Sequence, residues 1–339
     1  MNGFERINSA LNGERTDTTP IMLHNFMMAA NELGVTMEQY RSNPRIIADC
    51  FINAVEKYKY DGILVDIDTV TLAGAVGVTV DFPTNEPARS NKGILEDLGN
   101  LTKLKFPKVE DYKYIQIWLE AVRLLSEYFK GEIYVRGNCD QAPFSLASMI
   151  RGSQNWMIDL MMAEENVITG LLEYCTEASL QFVKLMAQTG ADMISNGDSP
   201  AGPEMVSPEM YEKYALPYEK ELVKLSHKEG VKYALHICGN TETILDKMIK
   251  SDADAFELDY KTDMKKVFQA YSEKVTFIGN IDPSGVLALG DENLVRERTL
   301  ELLDSYKKSN RFILNAGCAL PSSTPSENIE VMIKTAREF

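Results

Sequence analysis

Val231-Lys232-Tyr233-Ala234-Leu235-His236-Ile237-Cys238 is an apolar run that ends on two side chains able to bind a metal. Read as a β-strand, its two-residue pleat sends His236 and Cys238 to the same side. Runs of this kind recur along the chain, and strands are expected over residues 20–25, 62–68, 132–138, 192–198, 231–238, 253–259, 275–282 and 311–315. Amphipathic stretches lie between them, at residues 44–58, 115–129, 165–188, 208–229, 241–249 and 294–307. Asn43-Pro44 and Ser207-Pro208 are helix-start signals, because proline suits the first helical turn. Alternating strands and helices require parallel pairing with helical crossovers. Eight such units spread over residues 1–339 predict one (β/α)8 TIM barrel domain.

The strand ends carry the chemistry. They read His24-Asn25, Asp66 with Asp68, Arg136 with Asn138, Asn196 with Asp198, and His236 with Cys238. Glu257 with Asp259, Asn280 with Asp282, and Asn315 leading to Cys318 complete the series. Apolar strands that end in ionisable or amide groups put a site at the C-terminal mouth of a barrel. An open doubly wound sheet would concentrate polar groups in the same way, but no Gly-x-Gly-x-x-Gly or Gly-Lys-Ser/Thr loop follows a strand.

Bulk properties narrow the partners. The 339 residues are 45% hydrophobic and 25% charged, with a formal net charge of -15 and no lysine/arginine cluster. Nucleic acid and anionic membrane surfaces are therefore excluded as expected partners. No apolar run is long enough to span a bilayer, and Met1-Asn2-Gly3-Phe4-Glu5-Arg6 has no apolar signal region. Five cysteines, an odd number in a long chain, argue against a disulfide framework and for the cytoplasm. The oligomeric state is open, and a homodimer is compatible with the chain.

Cys238 and Cys318 with His236 form a candidate metal set of three N/S donors and a vacant fourth position, as in catalytic zinc sites. The competing reading is ordinary packing, since a free cysteine is usually a small buried hydrophobe. Of the remaining histidines, His24 is an alternative donor at the mouth and His227 a surface residue late in a helix. Asp68 and Asp198 are candidate catalytic residues, for substrate contact or proton handling; the alternative is capping of the next loop or helix. His24, Asn25, Asn138, Gln141 and Asp259 are candidate substrate contacts. Asn138, Asp140 and Gln141 equally suit a role in shaping the loop before Pro143. Glu257 or Asp259 is expected to orient the His236 ring through its other nitrogen. Cys50 and Cys175 fall in helical patterns and are expected in the core. Phe26-Met27-Met28 either lines an apolar pocket or packs the barrel against its first helix.

Three further segments carry a family resemblance: Asp68 to Gly77, Gly279-Asn280-Ile281-Asp282-Pro283, and Asn315-Ala316-Gly317-Cys318-Ala319-Leu320-Pro321. Together they resemble the uroporphyrinogen decarboxylase superfamily over nearly the whole chain. Within it, His236-x-Cys238 with Cys318 is similar to the zinc motif of the branch that transfers methyl groups in corrinoid systems. The resemblance implies Zn2+ as a cofactor, a methylcobamide carried by a corrinoid-binding partner protein, and a small-molecule methyl donor or thiol acceptor. Decarboxylases of the superfamily hold substrate carboxylates with arginines near the end of the first strand. Residues 21–28 here contain none. Decarboxylation of a tetrapyrrole and a non-catalytic corrinoid- or metal-binding adaptor are the rival functions, and the reverse transfer, from a methylated small molecule to a corrinoid, would use the same site.

Overall fold

Each of the eight core strands is short and buried on both faces, as parallel strands covered by helices must be. The computed structural model describes residues 1–339. Its strands are β1 (Met22–Leu23), β2 (Gly62–Val65), β3 (Tyr134–Gln141), β4 (Met193–Gly197), β5 (Lys232–Ile237), β6 (Ala255–Leu258), β7 (Thr276–Ile281) and β8 (Phe312–Ala316). They pair in parallel in chain order, and a parallel bridge between Ile21 and Leu314 joins the last strand to the first. The protein is a (β/α)8 barrel. A separate two-stranded antiparallel ribbon pairs Val80–Asp81 with Arg89–Ser90.

Period-two alternation stacks the interior in layers. The lowest layer is apolar, with Met22, Tyr134, Met193, Ala234, Ala255, Ile278 and Ile313 in one buried cluster. The helix Gly3–Asn12 closes this end and adds Ile7, Ala10 and Leu11 to the cluster. It is fixed at its start by a capping box between Asn2 and Glu5, and Phe4 stacks on Tyr134. Two residues further along most of the strands the interior becomes polar, with His24, Arg136, Ser195, His236, Glu257 and Asn315, while β2 contributes Leu64. Barrel interiors are usually filled by branched apolar side chains. A polar layer survives only if its members satisfy one another, and here their pairing builds the site.

Several expected elements differ in the structure, and the expected helix 241–249 is a series of short pieces, Glu242–Ile244, Leu245–Met248 and Ile249–Ser251. Cys238 lies just past β5, because Gly239 turns the chain at φ +84, a conformation that suits glycine. Conversely, β3 runs past Asn138 to Gln141 through a register shift, with Asp140 at φ +60. This bulge lets Asp140 contribute to the cavity rather than simply begin the next loop. The expected helix 208–229 divides into Pro208–Tyr214 and Leu216–Lys228, since Pro217 has no N–H to continue the ladder. No helix is long and apolar enough to cross a membrane.

Candidate active site at the barrel mouth

His236 leaves the last turn of β5 and Cys238 follows it by one pleat, while Cys318 rides on the loop after β8. His236 Nε2 lies 2.9 Å from Cys238 Sγ, and the two sulfurs are 3.6 Å apart. All three donor atoms fall within 4.8 Å of one another. Ligands held about 2.0–2.3 Å from a tetrahedral ion are roughly 3.4–3.8 Å apart, so the triad is already near the shape of a zinc site. The ring is also set in the correct tautomer. Nδ1–H donates to the Glu257 backbone carbonyl at 3.1 Å, so Nε2 is the ring atom that becomes a ligand once it gives up the proton it shares with Cys238 Sγ. The Cys238 N–H donates to Ser199 Oγ. The hydrogen bond from Cys318, together with the His236 charge, pushes the Cys238 thiol down to about 3, while Cys318 keeps the proton of the pair and is pushed up. Burial pulls the His236 imidazolium down, but the Cys238 thiolate and Glu257 outweigh it and bring the ring up to about 9.

The triad opens onto a cavity of about 300 Å³. Beneath it, Arg136 Nη1 pairs with Glu257, and both side chains are only 1% exposed. Glu257 also lies 3.5 Å from His24 Nδ1, whose Nε2 is 2.8 Å from Asp66 Oδ2. Burial alone would strip the proton from His24; Asp66 and Glu257 reverse this and raise the imidazolium to about 9. Burial would likewise raise Glu257, but Arg136 and His24 hold it well below the usual carboxylate range. Asn138 Nδ2 donates to Asp66 Oδ1, so the chain of contacts runs from β1 through β2, β3 and β6. Asp68 and Asp140 sit on adjacent amides. Asp68 Oδ1 accepts from the Val70 and Thr71 N–H groups and the Thr71 hydroxyl, while Asp140 Oδ2 accepts from Leu72 N–H. Burial pushes Asp68 up to about 6 and Asp140 well above the ordinary range.

The sequence candidates therefore divide. His24, Asp68, Asn138 and Gln141 line the cavity beside the metal triad, as does Met27 from the Phe26-Met27-Met28 run. Asn25 is fully buried beside it, with Nδ2 on the Tyr60 hydroxyl, and does not reach the cavity. Asp198 is also fully buried; its Oδ1 accepts from Ser145 N–H and Oγ at the start of the helix Pro143–Arg151. Asp259 faces backbone, accepting from Gly239 N–H and Lys261 N–H, and so pins the turn that carries Cys238. Orientation of His236 comes from the Glu257 carbonyl rather than from Asp259. Cys50, Cys139 and Cys175 are buried, and His227 pairs with Asp254 in a half-exposed position. The Arg136–Glu257 pair was the main feature that strand-end reading missed. Its signal was two charged residues inside apolar strand runs, which can be buried only as partners.

The profile described as uroporphyrinogen decarboxylase (URO-D) matches residues 2–339. The chain belongs to the uroporphyrinogen decarboxylase family. A methylcobamide:CoM methyltransferase, MtbA, of Methanosarcina acetivorans is 33% identical over 248 residues, which cover 73% of this chain and 70% of that protein. A uroporphyrinogen decarboxylase of Prochlorococcus marinus is 27% identical and aligns with 97% of this chain and 95% of its own length. A solved methyltransferase from Methanosarcina mazei superposes over 100% of this chain and 99% of its own, with a TM-score of 0.90 at 21% identity, and so supports the barrel. Within the family this member is an enzyme of the corrinoid-linked methyltransferase branch.

Proposed function

We propose that the chain moves a methyl group between a methylcobamide carried by a partner corrinoid protein and a small-molecule thiol, using Zn2+ held by His236, Cys238 and Cys318. The observation that supports this is the convergence of one imidazole nitrogen and two sulfurs within 4.8 Å at the open end of the barrel. The donor set fits the ion: Nε2 has Cys238 Sγ as its partner, and one cysteine is poised as a thiolate. When bound there, Zn2+ supplies a Lewis acid that lowers the pKa of a substrate thiol and keeps a coordination position open for it. In the net reaction a sulfur–carbon bond forms, the cobalt–carbon bond breaks, Co(III) leaves as Co(I), and the thiol proton is released.

The chain's own residues bind and align. Glu257 fixes the His236 tautomer through its carbonyl, and Asp259 holds the Cys238 turn. His24, Asn138, Gln141 and Asp68 contact the small substrate from the cavity wall, and the enclosed volume orients it for in-line displacement. Asp198 and Asn25 act as positioning residues, through the helix start at Ser145 and through Tyr60. Two thiols 3.6 Å apart must stay reduced to hold a metal, which favours the cytoplasm. Decarboxylation of an octa-anionic tetrapyrrole is disfavoured, because Arg136 is already neutralised by Glu257.

The test is metal analysis with methyl transfer from methylcobalamin to a panel of thiols. Wild-type protein is expected to carry about one zinc per chain and to turn over, whereas Cys318→Ala loses most of both. Zinc-free protein that decarboxylates a porphyrinogen would sink the assignment.

A further inference from the structure

In the cavity beside the triad, the hydrogen-bonding capacity left unused lies on donors. Three basic side chains, Arg136, His24 and His236, line it together with four carboxyl groups, Asp66, Asp68, Asp140 and Glu257. Three of those carboxyl groups are engaged. Asp66 accepts from Asn138 and pairs with His24, Glu257 pairs with Arg136, and Asp68 accepts from Val70 and Thr71. Arg136 reaches Glu257 through Nη1, and its Nε–H has no acceptor. Asp140 stands apart from the other three. It is 1% exposed; Oδ2 accepts from Leu72 N–H, and Oδ1 has no hydrogen-bond partner. Burial, reinforced by the nearby Asp68, holds the Asp140 carboxyl well above the ordinary range, so Oδ1 carries a proton. A buried O–H without an acceptor is costly unless a ligand supplies one. The β3 bulge, with Asp140 in a left-handed conformation, is what brings this group to the cavity wall.

We propose that Asp140 is a specificity-determining residue, whose Oδ1–H donates to an oxyanion at the far end of the thiol substrate. This rests on the thiol reading given above and assigns a residue to the end of the substrate away from the metal. A carboxylic acid kept neutral by its surroundings donates a hydrogen bond, which an ionised carboxylate cannot do. Asp140 therefore meets a sulfonate or carboxylate without like-charge repulsion, and Arg136 and His24 add cationic charge to the same lining. The Glu257 partner of Arg136 leaves the cavity unsuited to many carboxylates, but one oxyanion needs only a donor. An ammonium at that end finds no free acceptor: Asp140 offers a proton, and Asp66, Asp68 and Glu257 hold partners already. A hydroxyl accepts from Asp140 but brings no charge, and so ranks between. The cavity volume of about 300 Å³ suits a molecule of a few heavy atoms.

The experiment uses a matched series on zinc-loaded full-length protein: 2-mercaptoethanesulfonate, 2-mercaptoethanol and 2-aminoethanethiol. Binding is read by calorimetry and methyl transfer from methylcobalamin is read in parallel. The sulfonate is expected to bind roughly tenfold tighter than the alcohol, with the amine weakest. Asp140→Asn reproduces the neutral pattern, an oxygen for Leu72 N–H and an N–H for the ligand, and should hold the sulfonate-to-alcohol ratio within about threefold of wild type. Asp140→Ala has no donor and should bring the sulfonate down to the level of the alcohol. Infrared difference spectra of wild type against Asp140→Asn supply a measurement that does not depend on the alanine variant folding. They should show a protonated carboxyl band that shifts when the sulfonate is added. An amine that binds as tightly as the sulfonate, a sulfonate strengthened by Asp140→Asn, a ratio unmoved in folded Asp140→Ala, or the absence of that band would each overturn the proposal. Binding in the expected order without methyl transfer would support the Asp140 assignment while removing the methyl-transfer reading, so the two fail separately.

Discussion

Two buried side chains decide how the polar layer behaves. Arg136 and Glu257 neutralise each other inside the barrel, and removing one partner strands the other in a low-dielectric interior. Arg136→Met should therefore cost about 3–5 kcal/mol in urea unfolding, and the double variant Arg136→Met/Glu257→Leu should recover much of that loss. Near-additivity of the two single changes would refute their pairing. His24 supplies a pH signature. Its folded pKa of about 9 exceeds the ordinary 6.5, so the folded state holds the proton more tightly. That stabilisation is complete below pH 6.5 and disappears as pH rises through about 9. A plot of unfolding free energy against pH should fall across this window, with His24 contributing about 1.4 kcal/mol per unit at most, and His24→Asn should remove that share of the slope.

At the scale of elements, the turn after β5 matters as much as the ligands. Gly239 at φ +84 points its N–H at Asp259 Oδ2, 2.9 Å away, and this fixes where Cys238 sits. Asp259→Ala should weaken zinc binding by roughly 10–100-fold in chelator competition, with little change in folded content. Unchanged affinity would mean that the turn holds itself. The strands and the helix Pro44–Tyr58 were legible because periodicity and caps are local signals. By contrast, the bulge in β3 and the break at Pro217 depend on neighbouring elements. A proline at the second position of a new helix and a proline inside a continuous one look alike until the packing is known.

For the whole molecule, stability and chemistry occupy opposite ends of the barrel. Ile7, on the helix Gly3–Asn12, is buried in the apolar lower layer, far along the strands from the triad. Ile7→Ala should cost about 2–5 kcal/mol of stability. Zinc content and thiol affinity of the folded fraction should stay as in wild type; a parallel loss of metal would show that the two ends are coupled. By itself the sequence determined the barrel class, the eight strands and the His236, Cys238 and Cys318 candidates, because alternation and strand-end chemistry are written in neighbouring residues. Only the tertiary structure decided which candidates share a cavity. Arg136 meets Glu257 across 121 residues, Asp198 and Asn25 turn away, and Asp140 turns in. Those outcomes follow from barrel closure and strand register, which position side chains through contacts between segments far apart in the chain.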